Sequence, residues 1–143
     1  MLSQHTENHD QLTLFVDRLP YRPFCADDLA HGLQVRPALV ALERRHIQYN
    51  PPASINWLAF DVDRDFFNDS DDRIIAPPNI VARNPANGHA HVLYGIDVGV
   101  TKTSAARAAP LRLLSAINEG FRHAVGGDVG FAELICKNPL HPC

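Results

Sequence analysis

The stretch "NWLAFDVDRDFF", residues 56–67, indicates both a buried strand and a candidate functional site. Its apolar run "WLAF" leads directly into Asp61, Val62 and Asp63. A short apolar run that follows the breaking sequence "NPPAS" predicts a buried strand, here over residues 57–62. Because side chains alternate along a strand, the two aspartates share one face while Val62 points into the core.

Two carboxylates on one face of a strand repel each other unless a cation lies between them. Hard divalent ions take oxygen ligands, and Mg²⁺ commonly uses one or two carboxylates together with substrate phosphates. The pair Asp61 and Asp63, followed by further aspartates in "DRDFFNDSDD", therefore indicates a metal-dependent phosphoryl-transfer site. The alternative interpretation is a solvated strand end that continues into a polar loop.

Two histidines alternate in the same way in "NGHAHVLYGI", residues 87–96. Histidine can contact phosphate as a cation or bind a metal as neutral imidazole, so His89 and His91 are candidates for the same site. The alternative is a pair of structural histidines bonded to the backbone. A third aspartate, Asp128, precedes the last predicted strand, and its alternative role is that of a turn or cap residue.

The composition places the chain among ordinary globular proteins. Its 143 residues, 45% hydrophobic and 20% charged, suit one domain with a real core. A net charge of −3 does not by itself indicate a nucleic-acid binder. No apolar stretch reaches the roughly 18 residues of a membrane span, so we expect no membrane partner. Three cysteines without paired spacing favour a reducing cytoplasm.

A zinc site at the C-terminal end is a further alternative. It would use Cys136, His141 and Cys143, but their spacing matches no common zinc framework and a fourth ligand is missing.

The periodicity of the chain predicts helices first, and then strands around one amphipathic helix. The first expected helix ends at Pro20 and carries apolar residues at Leu12, Phe15, Val16 and Leu19. A short helix is expected from about Ala26 to Gly32, and another over residues 36–47. A long helix, capped by Thr103 or Ser104, has an apolar stripe of Leu113, Leu114, Ile117, Phe121, Ala124 and Val125. The expected strands cover residues 57–62, 80–83, 89–98 and 131–136. This order predicts an α+β fold, a small sheet with packed helices. We expect an N-terminal helical segment over residues 1–50 and a core over residues 51–143.

Four stretches together resemble a known family. They are "LPYRPFCADDLAHG", "WLAFDVDR", "APPNIVARNPANGHAHVLYGI" and "DVGFAELICKNPLHP", in family order from about residue 19 to the last residue. They resemble the Rep initiator primases of small colicin-type, theta-replicating plasmids, a branch of the archaeo-eukaryotic primase superfamily. The resemblance implies an RRM-like sheet and a bacterial cytoplasmic protein. Such proteins carry a further C-terminal region that binds the plasmid origin, so we expect this chain to be the catalytic domain alone.

The resemblance also implies an activity and a set of metal ligands. The activity is that of a DNA-dependent primase, a nucleotidyltransferase that makes a short primer on single-stranded DNA from nucleoside triphosphates. Asp61, Asp63 and Asp128 would be the catalytic residues and would hold two Mg²⁺ or Mn²⁺ ions, with no organic cofactor. A host DNA polymerase would then extend the primer.

Nucleotide contacts are implied for five further residues. His91 best matches the family histidine that touches the nucleotide's phosphates, and His89 is a less certain partner. Lys137 resembles the basic residue that neutralises phosphate charge. Asn79 and Arg83 would add contacts to nucleotide or template.

Two other classes of function compete with the primase. The sequence "HAH" is also the histidine–hydrophobic–histidine signature of rolling-circle Rep nickases and relaxases, which cut DNA through a helical tyrosine. The tyrosines here are Tyr21, Tyr49 and Tyr94, and none lies in a convincing helical Tyr-x-x-Lys pattern. The second alternative is a non-catalytic origin-binding domain with a structural acidic pair.

Overall fold

A computed structural model of the chain describes residues 3–65 and 76–142. This part of the chain forms α-helices and two antiparallel sheets, so the predicted α+β class is confirmed. In chain order the elements are α1 (Ser3–Asp17), β1 (Phe24–Ala26), a 3-10 turn (Leu29–His31), β2 (Gln34–Val35), α2 (Ala38–Ala41), β3 (His46–Gln48), β4 (Ser54–Val62), β5 (Ile80–Arg83), β6 (Ala90–Thr101), α3 (Ala108–Val125) and β7 (Ile135–Lys137).

The sheet that carries the acidic residues has three strands in the order β4-β6-β5. The long β6 lies in the centre and pairs antiparallel with both neighbours. On one side His91 lies opposite Asp61, and on the other it lies opposite Ala82. All three predicted strands of this sheet are confirmed. They could be predicted because each is an apolar run bounded by proline, glycine or asparagine.

The second sheet has the order β2-β1-β3-β7 and joins the two ends of the chain. Its last strand follows α3 in sequence but pairs with β3, in the register Ile47 opposite Cys136. The last strand was expected over residues 131–136 and occupies only Ile135–Lys137. This pairing connects the first 50 residues to the C-terminal end of the chain through backbone hydrogen bonds.

The helix predicted over residues 36–47 is wrong in extent. Only Ala38–Ala41 are helical, and His46–Gln48 form a strand. The side chain of Asn138 donates hydrogen bonds to the carbonyl oxygens of Leu42 and Arg44, both at 2.8 Å, beyond the end of the helix. Because this partner comes from the distant end of the chain, a local pattern could not reveal the stop.

The first 50 residues are therefore not helical throughout. The helix expected from about Ala26 is also wrong: Phe24–Ala26 form a strand, and only Leu29–His31 make a helical turn. Asp28 caps that turn by accepting a hydrogen bond from the N–H of Ala30. The pairing of β1 with β3 stabilises the extended backbone here.

Two apolar clusters lie on the two faces of the three-stranded sheet. The first packs α1 against the sheet through Phe15, whose ring lies 6.0 Å from that of Trp57. The second packs α3 against the opposite face, with Leu114 and Val125 buried against Phe60. The sheet is thus covered on both faces while the carboxyl end of β4 reaches the surface.

Helix α3 starts later than predicted, at Ala108, with Pro110 inside its first turn where a missing N–H costs little. Its predicted apolar stripe is only partly buried, since Leu113 is 63% exposed and Ile117 is 40% exposed. Among the described helices, none is long and apolar enough to cross a membrane.

Candidate metal centre

Three aspartates meet at the carboxyl end of β4. Each of Asp61, Asp63 and Asp128 offers one carboxylate oxygen, and these three oxygen atoms all lie within 4.8 Å of one another. Asp61 is half-buried near the end of the strand, whereas Asp63 and Asp128 are exposed. The structure therefore brings together the three acidic residues that the sequence analysis singled out.

A short turn after α3 brings in the third carboxylate. The helix ends at Gly126, whose φ of 69° lies in the left-handed region that glycine tolerates. Gly127 is buried, and a Cβ atom built on it would lie 3.2 Å from Cβ of Phe60. The N–H of Asp128 then donates a hydrogen bond of 2.8 Å to the carbonyl oxygen of Asp61. The backbone, rather than the side chain alone, fixes where Asp128 lies.

Two arginines hold this turn against the strand. The guanidinium of Arg64 donates a hydrogen bond of 2.8 Å to the carbonyl oxygen of Val125. That of Arg122 donates one of 3.0 Å to the carbonyl oxygen of Gly127 and also binds Glu119. Because free carbonyl groups at a helix end favour cations, these contacts stabilise the end of α3. The sequence analysis did not single out either arginine, although "FDVDR" contains Arg64.

The electrostatics of the cluster favour a bound cation. Burial raises the pKa of Asp61, and the neighbouring carboxylates of Asp63 and Asp128 raise it further, while Lys137 opposes them. Three oxygen donors without thiolate or imidazole among them form a hard ligand set, which suits Mg²⁺ or Mn²⁺. The residues present therefore fit the predicted divalent metals.

Each histidine of "HAH" lies beside one of these carboxylates. Nε2 of His91 is 3.4 Å from Oδ1 of Asp61, and Nδ1 of His89 is 3.4 Å from Oδ1 of Asp63. The antiparallel register produces this match, because Asp61 pairs directly with His91. The shared faces were predicted from alternation, and the register that joins them is a finding of the structure.

His91 is neutral at pH 7. Burial lowers its pKa to about 3, and the positive charges of Lys137 and His46 add to the effect. Its Nδ1 accepts a hydrogen bond of 2.8 Å from the backbone N–H of Lys137, and its ring packs 5.0 Å from that of Phe131. The contact of His91 with nucleotide phosphates stays a prediction, as does that of His89.

A basic cavity of about 630 Å³ adjoins the metal centre through Lys137. It lies between β5 and the ends of β3 and β7. The polar residues that line it are Arg45, His46, Arg83, Asn84, Lys137, Asn138 and His141. Two of the predicted nucleotide contacts, Arg83 and Lys137, thus belong to one cavity. Arg83 also pairs with Asp65, with their side-chain atoms 3.3 Å apart.

Asn79 is not brought to this cluster. It precedes the opposite end of β5, where its Oδ1 accepts a hydrogen bond of 2.7 Å from the N–H of Gly95. Its Nδ2 donates one of 3.2 Å to Gln11 on α1. These contacts give the side chain a structural role, and its predicted contact with nucleotide stays untested.

The zinc alternative gains no support from the described residues. Cys136 is fully buried, and burial raises the pKa of its thiol far above the usual range, which disfavours the thiolate that zinc needs. Cys143 lies outside the described residues, as does most of the aspartate-rich loop after Asp65.

Comparison with known proteins gives one match. The model of a family described as the Replicase family matches residues 18–143. No curated protein and no solved structure matches the chain.

Proposed function

The chain belongs to the Replicase family and has a role in replication, and on this premise we propose that it is the catalytic domain of a plasmid replication initiator that acts as a metal-dependent primase. One observation carries the proposal: carboxylate oxygen atoms of Asp61, Asp63 and Asp128 lie within 4.8 Å of one another at the carboxyl end of β4. Burial and the two neighbouring carboxylates raise the pKa of Asp61, so a bound cation would relieve an unfavourable charge there, which is the simplest account of the cluster.

The three aspartates differ in how firmly the fold holds them. Asp61 is held within β4, and the backbone of Asp128 is bound to that of Asp61 by a hydrogen bond, so the backbone positions of both are set without a ligand. Asp63 is exposed and follows the last strand residue. Divalent metals bound there would activate the primer's 3′-hydroxyl and balance the charge of the triphosphate. For nucleotidyl transfer the protein mainly positions groups and balances charge, which these residues do.

The incoming nucleoside triphosphate would occupy the basic cavity beside the centre. Lys137 reaches both, because it lines the cavity and its charge acts on Asp61. Arg45 adds a further positive charge to the lining and His141 an imidazole, and the sequence analysis included neither among the nucleotide contacts. Charge-assisted hydrogen bonds to phosphate oxygens are among the stronger polar contacts in proteins, so this lining suits a triphosphate.

The nickase alternative has less support. A nickase needs an available tyrosine. Tyr49 is buried, and the hydroxyl of Tyr94 donates a hydrogen bond of 2.8 Å to the carbonyl oxygen of Ala76. Tyr21 is exposed but lies in the segment before β1, outside the three-stranded sheet. The single-stranded template, the host polymerase and the separate origin-binding region remain parts of the primase proposal.

Primer synthesis on single-stranded DNA tests the proposal. Purified protein, labelled nucleoside triphosphates and Mg²⁺ or Mn²⁺ should yield short products that disappear with a chelator and in Asp61→Asn or Asp63→Asn. Asp97→Asn, an exposed aspartate on β6, serves as the matched control and should keep activity. Undiminished synthesis by folded Asp61→Asn would refute the metal centre, and metal-dependent nicking without synthesis would favour the nickase.

A further inference from the structure

We propose that the two histidines at the hairpin that joins β5 to β6 position the metal ligands: His91 orients the carboxylate of Asp61, and His89 orients that of Asp63. This inference rests on the proposed metal centre and assigns the histidines a role that does not require contact with nucleotide. His91 is the principal member because its side chain is only 10% exposed, against 35% for His89.

The sheet register makes the arrangement specific. In an antiparallel pair, residues directly opposite each other interact through their side chains. Asp61 lies opposite His91 in the register, and just beyond the last paired residues Nδ1 of His89 lies 3.4 Å from Oδ1 of Asp63. A slip of one residue would send both partners to the opposite face of the sheet, so the D-x-D and H-x-H patterns work only in this register.

The hydrogen bond to Lys137 determines what His91 can do. A neutral imidazole has one N–H donor and one acceptor nitrogen. Since Nδ1 of His91 accepts from the backbone N–H of Lys137, its hydrogen is on Nε2. Nε2 lies 3.4 Å from Oδ1 of Asp61, so its hydrogen is close to this carboxylate, and the nitrogen has no lone pair for a metal. The tightly packed ring of Phe131 limits its rotation.

His89 receives its position from the hairpin loop. Its backbone N–H donates a hydrogen bond of 3.0 Å to the side chain of Asn87. The loop itself is closed by the N–H of Gly88, which donates to the carbonyl oxygen of Asn84. Gly88 packs so closely on Asp65 that a Cβ atom there would lie 2.8 Å from Cγ of Asp65. The loop and the end of β4 thus fit each other directly.

Such partners matter because a carboxylate ligand must present the correct oxygen to the metal. Removing groups that orient metal ligands typically lowers metal affinity by about 10–100-fold. We therefore expect His91→Ala to lose about that much Mn²⁺ affinity in the absence of nucleotide. His89→Ala should lose less, because its side chain is more exposed and less constrained.

Two conservative variants separate orientation from simple packing. Glutamine can place its amide nitrogen near the position of Nε2, where it keeps the donor to Asp61. Asparagine can place its oxygen near Nδ1, where it keeps only the acceptor for the N–H of Lys137. We expect His91→Gln to retain Mn²⁺ affinity closer to wild type than His91→Asn, whereas a merely structural histidine would give the reverse order. His123→Gln, on the exposed side of α3, is the control.

Mn²⁺ binding to the whole chain, followed by electron paramagnetic resonance or calorimetry, is the decisive measurement. If wild type binds no Mn²⁺, the proposed metal centre itself fails. If wild type binds and His91→Ala binds equally well, or Asn exceeds Gln, only the positioning role is overturned. Nitrogen NMR of the wild-type histidines adds a test without variants: a hydrogen on Nδ1 rather than Nε2 of His91 would also overturn it.

Discussion

Gly127 and Phe60 lie so close together that a side chain on the glycine would have little room. A Cβ atom at Gly127 would lie 3.2 Å from Cβ of Phe60 and 3.2 Å from Cγ of Arg122. Phe60 is a buried core residue of β4, and its strand pairs with β6, where Phe60 lies opposite Val92. Glycine at this position lets the turn that carries Asp128 approach the strand that carries Asp61.

Gly127→Ala should therefore loosen the docking of the turn. Overpacking of this kind costs about 1–3 kcal/mol of unfolding free energy. We also expect weaker Mn²⁺ binding, because the third carboxylate would move away from the other two. Urea unfolding and metal titration of the same preparation measure both effects. A variant with unchanged stability and unchanged metal affinity would show that the close contact is unimportant.

Gly120→Ala should have the opposite effect on stability. Gly120 lies within α3, and a Cβ atom there meets nothing within 4 Å. Alanine is the better helix former by about 1 kcal/mol, so the free energy of unfolding should rise by up to that amount. Metal affinity should stay as in wild type, which makes this variant a matched control for Gly127→Ala. A loss of stability here would mean that the helix packs differently.

Asp61→Asn should stabilise the metal-free protein at neutral pH. The folded state raises the pKa of Asp61, so the fold favours the protonated carboxyl. This contribution to stability is complete below the unfolded pKa of about 3.9 and is lost as pH rises through the folded value. The Asn variant should thus melt a few degrees above wild type at pH 7 in a chelator, and the difference should vanish near pH 3.

Bound metal should reverse the order of the two melting temperatures, so that wild type melts above Asp61→Asn. A ligand that binds only the native state stabilises it, so Mn²⁺ should raise the melting temperature of wild type and leave Asp61→Asn unchanged. Differential scanning calorimetry with and without Mn²⁺ measures this. Equal stabilisation of both proteins by Mn²⁺ would place the metal elsewhere.

Arg45→Gln should weaken nucleotide binding more than Arg44→Gln does. Arg45 is exposed and lines the basic cavity, whereas Arg44 pairs with Asp27 at 2.7 Å. A hydrogen bond to a charged group contributes about 1.5–3 kcal/mol, so we expect at least a tenfold loss of triphosphate affinity for Arg45→Gln. Fluorescence anisotropy with a labelled nucleotide, at two salt concentrations, provides the comparison. Similar losses in both variants would place the triphosphate outside this cavity.

The parts of the fold that the sequence predicts are those set by local patterns. The strands β4, β5 and β6 follow from apolar runs between breaking residues, and α3 follows from its apolar spacing. The strands β1 to β3 were missed because each is only two or three residues long, and β3 pairs with β7 from the distant end of the chain. Asn138, which accounts for the early end of α2, could not be linked to Leu42 by any pattern within one window.

The candidate site, too, was predictable from the sequence only where local patterns determine it. Alternation along a strand places Asp61 and Asp63 on one face and the two histidines on another strand's face. It does not give the register that sets His91 beside Asp61, because register depends on the hairpin loop and on both strands together. Nor does it show that Lys137, close to the chain's end, contacts the same histidine through its backbone.

The hydrogen bond from the amide of Asp128 to the carbonyl oxygen of Asp61 also provides a probe of the site by hydrogen exchange. An amide proton held in this way exchanges with deuterium only when the turn separates from the strand, so its exchange rate measures how often the site is assembled. A bound ion would hold the two segments together and slow this one proton more than amides remote from the centre. Assembly of the acidic centre could thus be followed in time at a single backbone position.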